Sequence, residues 1–400
     1  MLRRGGYARR MGDRFAVYPE EITARFLNAS ATGGRFVWIH AVSVGEVQVA
    51  GQLMREWRKA DPQVAFCFST TSSTGWKMAQ KEVSERDVLI YNPLDFPSFV
   101  KSAFALVKPC AVILTESEIW PEFIRRAKKL GIPLYLVNAR VSDRSAPRYR
   151  MARFWFGDIL SSFTKIFAQS DLDKERLVAA GASEEKVDVT GSFKFDVARR
   201  DEAKEREMRG WTGEGRILLG GSTWPGEDEV LVALYAKLRR RHGDLKLVIA
   251  PRHFEKADAV EANILKAGFK CVRRSRGDEP VENAVYLADT TGELMGLYGI
   301  ADIVFVGKSL KAHGSQNMIE PCLCGKPTLV GPYTENFRPV MSDLLAADAI
   351  VQIADDDELE RQAFRLIEDD GSLGARARAA VENRRGVVAK CLAAIMEKVK

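Results

Sequence analysis

The chain lacks any apolar run of the roughly 18 residues that a membrane-spanning helix requires. Arginines crowd its first fourteen residues, but no apolar segment follows them, so the pattern of a secretory signal peptide is missing as well. Cysteine is scarce, with six among 400 residues. Only Cys322 and Cys324 lie close together, in an apolar context without a nearby histidine. The six cysteines show no metal-ligand spacing, and these absences predict a cytoplasmic protein with reduced thiols.

The length and the charge distribution are more informative than the total charge. A chain of 400 residues with 46% apolar residues favours two globular domains with full cores. The net charge of +6 is mild for this length, but the arginines form two clusters. The clusters are Arg3, Arg4, Arg9, Arg10 and Arg14, and Arg140, Arg144, Arg148, Arg150 and Arg153. Such clusters suit phosphates, acidic sugars or a lipid head-group surface, although a solvated tail also explains the first one.

Short apolar runs alternate with helix-like spacing through both halves of the chain, which predicts two parallel sheets with helices on both faces. In the first half the predicted strands are 36–39, 64–69, 88–91, 111–114, 134–138, 165–168 and 188–189. In the second half they are 216–219, 246–250, 270–272, 285–287, 303–306, 328–330 and 349–352. The predicted segments are a basic N-terminal segment 1–34, a first domain 35–197, a charged linker 198–214, a second domain 215–373 and a C-terminal helix 374–400. Two such domains joined by a hinge make a cleft, which is the default ligand site.

The turn after the first predicted strand carries the strongest candidate for chemistry. Glu46 lies there, just outside the carboxyl end of a strand, where open α/β sheets bind ligands. Ser43 precedes it, and Gly45 allows a tight turn or a close approach to a ligand. A carboxylate at this place can remove a proton from a hydroxyl group. It can also simply cap the helix that follows, and the segment alone leaves both interpretations open.

Three further loops of the first domain follow strands and carry charged residues. The candidates are Glu116 and Glu118 after one strand, Arg140 and Arg144 after the next, and Lys194 near the crossing into the second domain. Each is explained equally well as an ordinary loop residue. Their occurrence at successive strand ends favours a common site.

In the second domain, three segments at strand ends suit a phosphate or a nucleotide. The candidates are Ser222, Thr223, Arg252, His253, Gly314, Ser315, Gln316, Asn317 and Glu320. Free backbone amides at 220–227 and 307–316 can bind an anion. Segment 220–227 is not a Walker sequence, because no lysine follows its second glycine, and its glycine spacing does not match a dinucleotide fingerprint. A helix is expected to begin near Ser315 or Gln316, which would place Asn317 and Glu320 on one face, where a carboxylate can accept both hydroxyls of a ribose. A capping pair would look similar.

Taken together and in order, these segments resemble the glycosyltransferases that attach 3-deoxy-D-manno-octulosonic acid (Kdo) to lipid A. The matching segments are 40–46, 71–75, 93–95, 116–121, 138–140, 144–145, 168–170, 194–196, 250–253, 289–294, 317–321 and 336–337. The resemblance implies a GT-B fold with two Rossmann-like α/β/α domains facing a central cleft. It also implies that CMP-Kdo binds mainly to the second domain and a lipid A precursor to the first.

The implied chemistry is inverting and needs neither a metal nor a cofactor, because CMP-Kdo is a substrate. Glu46 is implied as the base that deprotonates the acceptor hydroxyl. A low-lying carboxylate pKa suffices for such a base if proton removal accompanies a loose, oxocarbenium-like transfer. Backbone amides and Arg252 would stabilise the charge that grows on the leaving phosphate.

The chain departs from the family pattern on the nucleotide side. Trp224 and Gln316 stand where the family usually has histidines, and Lys308 stands at a glycine position, so Lys308 and His313 become candidate replacement donors. The family's hydrophobic N-terminal anchor is missing, and we expect peripheral attachment to anionic lipid at the cytoplasmic face of the inner membrane. The predicted contacts are Arg3, Arg4, Arg9 and Arg10, and no nucleic acid partner is expected.

Two other functions remain open from the sequence. A GT-B enzyme could use another nucleotide sugar, as a UDP-sugar transferase or epimerase. Alternatively, the chain could be a catalytically silent protein that binds anionic lipid or nucleotide, which the lost histidines favour.

Overall fold

A computed structural model describes residues 10–399 and divides the chain into two compact units. The first unit runs to Val197 and takes up the chain again from Gly386, and the second is Ala198–Arg385. Within residues 10–399, no helix combines the length and the apolar character needed to traverse a bilayer.

The first unit is built on a parallel sheet of seven strands among the residues described. The strands are β1 (Phe36–His40), β2 (Ala65–Thr70), β3 (Val88–Tyr91), β4 (Ala111–Thr115), β5 (Leu134–Ala139), β6 (Lys165–Ala168) and β7 (Val187–Val189). Their order across the sheet is β3-β2-β1-β4-β5-β6-β7. The central strands are buried along their whole length, because helices cover both faces. This confirms the strands and the parallel arrangement predicted from the sequence.

Helices flank both faces of this sheet. They are α1 (Glu20–Ala31), α2 (Val44–Ala60), α3 (Ser73–Ala79), α4 (Pro97–Val107), α5 (Pro121–Lys129), α6 (Ala146–Met151), α7 (Arg153–Ser161), α8 (Asp171–Ala179) and α9 (Lys194–Val197). One apolar core gathers around Trp38, Phe104 and Phe123, whose rings contact one another. A second core lies on the opposite face and includes Trp57 and Phe66.

The part of segment 1–34 that the structure describes is folded into the first unit, contrary to the expectation of a separate basic segment. Ile22 and Phe26 of α1 belong to the core. Buried Asp13 accepts a hydrogen bond from the amide of Tyr91 at 3.0 Å, and Arg14 donates to the carbonyl of Asn92 at 2.6 Å. Arg3, Arg4 and Arg9 lie outside the described residues.

The second unit repeats the architecture, again with seven parallel strands among the described residues. They are β8 (Ile217–Thr223), β9 (Lys246–Pro251), β10 (Lys270–Arg273), β11 (Ala284–Leu287), β12 (Ile303–Val306), β13 (Thr328–Val330) and β14 (Val351–Gln352). Their order is β10-β11-β9-β8-β12-β13-β14. The helices are α10 (Glu202–Thr212), α11 (Glu227–Leu238), α12 (Ala257–Lys266), α13 (Leu294–Ile300), α14 (Ile319–Leu323), α15 (Arg338–Ala346), α16 (Asp356–Leu366) and α17 (Ser372–Glu382).

Segment 198–214 differs from the expected linker, because it carries α10 and belongs to the second unit. Asp201 caps this helix by accepting from the amide of Lys204 at 3.0 Å. Met208 and Trp211, three residues apart, are buried, and α10 packs on α13.

Segment 374–400 also differs from the expected single helix. It contains the end of α17 and a separate helix α18 (Val387–Met396), which returns to the first unit and packs against α2. The carboxylate of Asp196 accepts from the amides of Gly386 and Val388 at 2.6 and 2.7 Å and so fixes the start of α18. The apolar spacing of α18 buries Val388, Cys391 and Ile395 on one side.

Each sheet reverses its strand order next to its first strand. Open α/β sheets bind ligands beyond the carboxyl ends of the strands at such a reversal. In the first unit the reversal lies between β1 and β4. In the second unit it lies between β8 and β12. The loops at these two places carry most of the residues that the sequence analysis selected.

Candidate functional site

Glu46 lies in the first turn of α2, directly beyond β1. Its amide bonds to the Oγ of Ser43 at 3.3 Å, so Ser43 caps the helix. The carboxylate accepts from the amide of Val42 at 3.0 Å, from the Oγ of Ser43 at 2.9 Å and from the Oγ1 of Thr115 at 3.1 Å. Glu46 therefore takes part in a cap, and the bond from Thr115 also ties it to the end of β4.

The environment of Glu46 makes it a stronger base than an ordinary glutamate. Its side chain is buried, and burial raises the pKa of this carboxyl, with a smaller contribution from the charge of Glu116. The bonds from Val42, Ser43 and Thr115 oppose the rise, because they stabilise the ionised form. A low-lying pKa would suffice for such a base, and the buried site raises the pKa of Glu46 instead.

Glu116 follows β4 and joins the ends of two strands. It adopts a left-handed backbone conformation, with φ 51°, and so does Asn138 at the end of β5, with φ 53°. The Nδ2 of Asn138 donates to Oε1 of Glu116 at 3.2 Å, and Arg140 pairs with Oε2 at 2.8 Å. The predicted residues Glu116 and Arg140 therefore form an ion pair in which Glu116 is buried and Arg140 is partly exposed. Asn138 of β5 donates a second bond to the same carboxylate.

Glu118 is the second acid of this loop, and its carboxyl titrates near neutrality. Burial and the charge of Glu46 raise the pKa of Glu118 to about 7, against a bond from Trp120 Nε1 at 2.8 Å. The Nε2 of His40 lies 3.8 Å from Oε2 of Glu118. Burial lowers the pKa of His40 to about 3, so its ring is neutral.

His40 presents a lone pair towards this acid. Its Nδ1 lies 3.1 Å from the backbone carbonyl of Ser69, which can only accept, so Nδ1 carries the proton. Nε2 is buried and makes no hydrogen bond among the described residues. A protonated Glu118 is therefore the form that suits a neutral His40.

The remaining predicted residues of the first unit surround this cluster or lie at its edge. Lys194, at the start of α9, is half-buried, and burial lowers its pKa, aided by Arg140 and opposed by Glu116. Ser43 and Gly45 are exposed beside the buried Glu46. A Cβ at Gly45 would meet open space, so no tight turn requires this glycine. Arg144 is exposed and forms no ion pair within residues 10–399.

In the second unit, the ends of β8 and β12 approach each other closely. A Cβ at Gly307 would lie 2.3 Å from the carbonyl oxygen of Ser222, so only glycine fits there. Ser222 has φ 53° and Thr223 is buried at the end of β8. The amide of Arg252 donates to the carbonyl of Thr223 at 3.0 Å, and its side chain is exposed. These contacts bring Ser222, Thr223 and Arg252 to one edge of the sheet.

Glu227 occupies the amides that were expected to bind a phosphate, which corrects that prediction. Its fully buried carboxylate accepts from the amides of Lys308, Ser309 and Leu310 at 2.9, 3.0 and 3.1 Å, and from Lys311 at 3.4 Å. The amide of Trp224 donates to it as well, at 2.8 Å. Successive amides form an anion-binding nest, and here the chain fills that nest itself.

Trp224 contacts the side chains of Lys308 and His253. The Nζ of Lys308 lies 4.8 Å from the centre of its ring, and the ring of His253 meets it edge-on at 5.2 Å. A Cβ at Gly314 would lie 3.5 Å from the same Nζ. The residues that depart from the family pattern, Trp224 and Lys308, thus contact each other.

The helix expected to begin near Ser315 or Gln316 begins instead at Ile319. Gly314 and Ser315 have φ 114° and 59°, which no α-helix accepts. The amides of Ser315 and Gln316 bond back to the carbonyls of Lys308 and Gly307 at 2.8 and 3.1 Å and close the loop.

Asn317 therefore precedes the helix rather than sharing a face with Glu320. Its Oδ1 accepts from the amide of Ile319 at 3.1 Å, and its side chain also bonds to Glu320. Burial raises the pKa of Glu320 to about 7. His313, a suggested replacement donor, is exposed, pairs with Glu335 at 2.9 Å and packs on the ring of Tyr333.

Within residues 10–399, no group of three or more histidine, cysteine, aspartate or glutamate side chains is arranged to hold a metal ion. The six cysteines are unpaired thiols. The independence from a metal and from a cofactor stays a prediction.

The comparison with known proteins decides the family. The chain is 32% identical over 366 residues to the 3-deoxy-D-manno-octulosonic acid transferase of Haemophilus influenzae, covering 90% of this chain and 84% of that one. It is also 32% identical to the transferase of the same name from Bordetella pertussis, covering 93% and 89%. The family model described as 3-deoxy-D-manno-octulosonic-acid transferase (kdotransferase) matches residues 9–197.

The chain belongs to the Kdo transferase family. It is accordingly a glycosyltransferase, and the family predicted from the sequence is confirmed.

Solved structures confirm the fold of this Kdo transferase family member. A glycosyltransferase from Rickettsia africae ESF-5 superposes with a TM-score of 0.63 at 15% identity, covering 92% of this chain and 99% of that one. A UDP-GlcNAc 2-epimerase from Neisseria meningitidis gives 0.62 at 16% identity, with 91% and 99% coverage. Such low identities show the fold alone, which is the two-domain α/β GT-B fold.

Three residues that hold the site together were assigned no role from the sequence. Thr115 is the last residue of β4 and Asn138 is the last but one of β5, where a polar side chain after an apolar run is a usable signal. Glu227 is less accessible to sequence reasoning, because four of the five amides that it binds lie 81 to 84 residues further along the chain.

Proposed function

We propose that this protein transfers Kdo from CMP-Kdo to a lipid A precursor, with inversion at the anomeric carbon and Glu46 as the general base. Family membership supports the sugar, since the relatives are named as transferases of that sugar. The observation that carries the role of Glu46 is its position at the strand reversal, with a buried carboxylate whose pKa is raised above that of free glutamate.

The hydrogen bonds of Glu46 suit a base. Three donors hold the carboxylate, namely the amide of Val42 and the hydroxyls of Ser43 and Thr115. An ionised carboxylate has about four acceptor positions, so one remains for the hydroxyl of the acceptor. The held geometry would then require little reorganisation when the proton moves.

The charged residues near Glu46 suit a phosphorylated, anionic acceptor. Arg140 and Lys194 would contact it, with exposed Arg144 further along the same loop. In the second unit, Ser222, Thr223 and Arg252 would contact the phosphate of the donor, and Asn317 with Glu320 would contact its ribose. No metal ion takes part in this proposal.

We also propose that the protein works at the cytoplasmic face of the inner membrane as a peripheral protein, because its acceptor would be a lipid. Arg10 does not support the predicted contact with anionic lipid. Its guanidinium pairs with Asp13 through bonds of 3.0 and 2.7 Å and lies over the ring of Trp76.

The test is incubation of the protein with CMP-Kdo and a lipid A precursor, with product masses recorded and the anomeric configuration determined by NMR. The expected product is the precursor with Kdo added and the configuration inverted. Calorimetric titrations with CMP and UDP provide the comparison, and CMP should bind. Binding of UDP alone would favour another nucleotide sugar, and CMP binding without transfer to any acceptor would favour a silent protein.

A further inference from the structure

The α6 and α7 helices carry the most exposed large apolar side chains of the described chain. Met151 is 82% exposed and Phe154 is 88% exposed. The segment 144–157 that contains them has four arginines and no acidic residue. We call Arg148, Arg150, Met151, Arg153 and Phe154 the α6–α7 surface. Single exposed apolar residues are ordinary, but two neighbouring ones among arginines form a surface with a specific chemistry.

The α6–α7 surface is held by well-packed residues behind it. Ile159 and Leu160 of α7 are buried in the core of the first unit. The rings of Tyr149 and Phe156 lie 4.2 Å apart and pack against that core. The ring of Trp155 meets Phe156 edge-on at 5.0 Å. Met151 and Phe154 therefore project from an anchored helix pair, and their exposure is part of the fold.

Few acidic side chains of the protein neutralise the positive charges of the arginines on this surface. Arg148, Arg150 and Arg153 are exposed, and none of them forms an ion pair within the described chain. The nearby acids Asp143 and Asp158 are paired elsewhere, with Arg176 and Lys128. Glu175 lines the same surface groove as Arg150 and is the nearby acid that can screen it. The surface therefore combines positive charge with apolar side chains.

We infer that the α6–α7 surface docks this protein on an anionic lipid membrane. Phe154 and Met151 enter the boundary between head groups and acyl chains, and the arginines contact head-group phosphates. Apolar side chains that project among basic residues are the pattern of interfacial helices. This inference rests on the peripheral attachment proposed above and deepens it, because it assigns the contact to α6 and α7. It requires neither donor nor acceptor.

The direct test is sedimentation of the full chain with phosphatidylcholine vesicles, with and without phosphatidylglycerol. Binding is expected with the anionic lipid and much weaker binding without it. R148Q/R150Q/R153Q should lower the partition coefficient by about fivefold per arginine. M151S/F154S should leave residual binding that salt abolishes. Matched controls are R361Q/R365Q/R378Q and F254S, which change exposed residues of the second unit and should bind like the wild type.

A second measurement tests insertion rather than adhesion. Trp155 is 38% exposed next to Phe154, so lipids brominated on the acyl chain should quench its fluorescence in anionic vesicles. W155F should lose this quenching while still sedimenting with the vesicles.

Two results would overturn the inference. One is full binding by both surface variants together with its loss in R3Q/R4Q/R9Q, which would assign the contact to the N-terminal arginines. The other is absence of binding to anionic vesicles by the wild type. Failure of the proposed function is seen separately, because transfer to a detergent-dispersed acceptor does not depend on this surface.

Discussion

The hydroxyl of Thr115 lies 3.1 Å from Oε2 of Glu46 and joins the end of β4 to the first turn beyond β1. The two residues flank the point at which the first sheet reverses its strand order. Thr115 is fully buried. A substitution there changes the environment of the proposed base without touching the open side of its carboxylate.

Thr115→Val should raise the pKa of Glu46 further, because the ionised carboxylate loses one donor. The acid limb of the pH profile of transfer should therefore move to higher pH, by up to about one unit. The rate at high pH, where Glu46 is ionised in both proteins, should change little. Thr328→Val is the matched control, since this buried threonine bonds to the carbonyl of Lys326 in the second unit. An unshifted acid limb would mean that Glu46 does not limit the rate.

Gly45→Ala distinguishes an effect on the stability of the fold from an effect on the binding of the acceptor. Gly45 lies within α2, and an added Cβ meets open space, so alanine should stabilise the helix by about 0.5–1 kcal/mol. If the acceptor approaches Glu46 here, the same methyl group should raise the KM for the acceptor. Gly210→Ala, at an exposed position of α10 where an added Cβ also meets open space, offers the same gain and should leave the kinetics unchanged. Equal kinetics in both variants would place the acceptor elsewhere.

Glu118 should make the fold less stable as the pH rises. Its folded pKa is raised to about 7 from 4.5, so the folded state binds more protons between these values, and the free energy of unfolding falls as the pH rises through this window. Glu118→Gln should remove this loss and increase the free energy of unfolding at pH 8 by up to ~3 kcal/mol. Urea unfolding of the wild type and of Glu118→Gln at several pH values measures this difference in the free energy of unfolding. Glu122→Gln is the control, a more exposed acid of the next helix.

The titration of Glu118 should also be visible directly. Trp120 donates its indole N–H to this carboxylate, so its fluorescence should change with a midpoint near pH 7. Glu46→Gln should lower that midpoint, because the charge of Glu46 contributes to the raised pKa. Trp120→Phe identifies the signal. A midpoint that stays in place in Glu46→Gln would show that the two carboxyls are not coupled.

Glu227→Gln should destabilise the second unit by about 2–4 kcal/mol. The carboxylate accepts from five backbone amides, and an amide side chain turns one of its two acceptor atoms into a donor. Affinity for CMP should fall as well if the loop 307–316 contributes to the donor site. Glu229→Gln changes an exposed acid two residues away and should have neither effect. Unfolding curves and calorimetric titration with CMP check both expectations.

The strands could be predicted because their residues are buried on both faces and read as apolar runs, as in 303–306 and 328–330. The position of Glu46 followed from the same pattern, since it stands where such a run ends. Residues 202–212 were misread because α10 is mostly charged and only Met208, Trp211 and Thr212 are buried. The helix start at Ile319 was missed because the left-handed conformation of Ser315 depends on bonds to residues 307 and 308.

The return of α18 to the first unit was equally inaccessible. Its apolar spacing predicts a buried helix face but does not name the partner, which is α2. The raised pKa of Glu46 also depends on distant residues, since Glu116 and Thr115 lie some 70 positions away. The sequence shows which side chains can act as acids, bases or donors. Their burial and their bonding partners depend on contacts between distant residues and are seen only in the structure.

The most direct test of the central claim is transfer by Glu46→Gln, measured with CMP-Kdo and a lipid A precursor, together with its affinity for CMP. Glutamine keeps an acceptor for the amide of Val42 but cannot take up the proton of the acceptor hydroxyl. The account predicts a loss of transfer of about 10²–10⁴-fold with CMP affinity and thermal stability retained. Transfer within a few-fold of the wild type would contradict it.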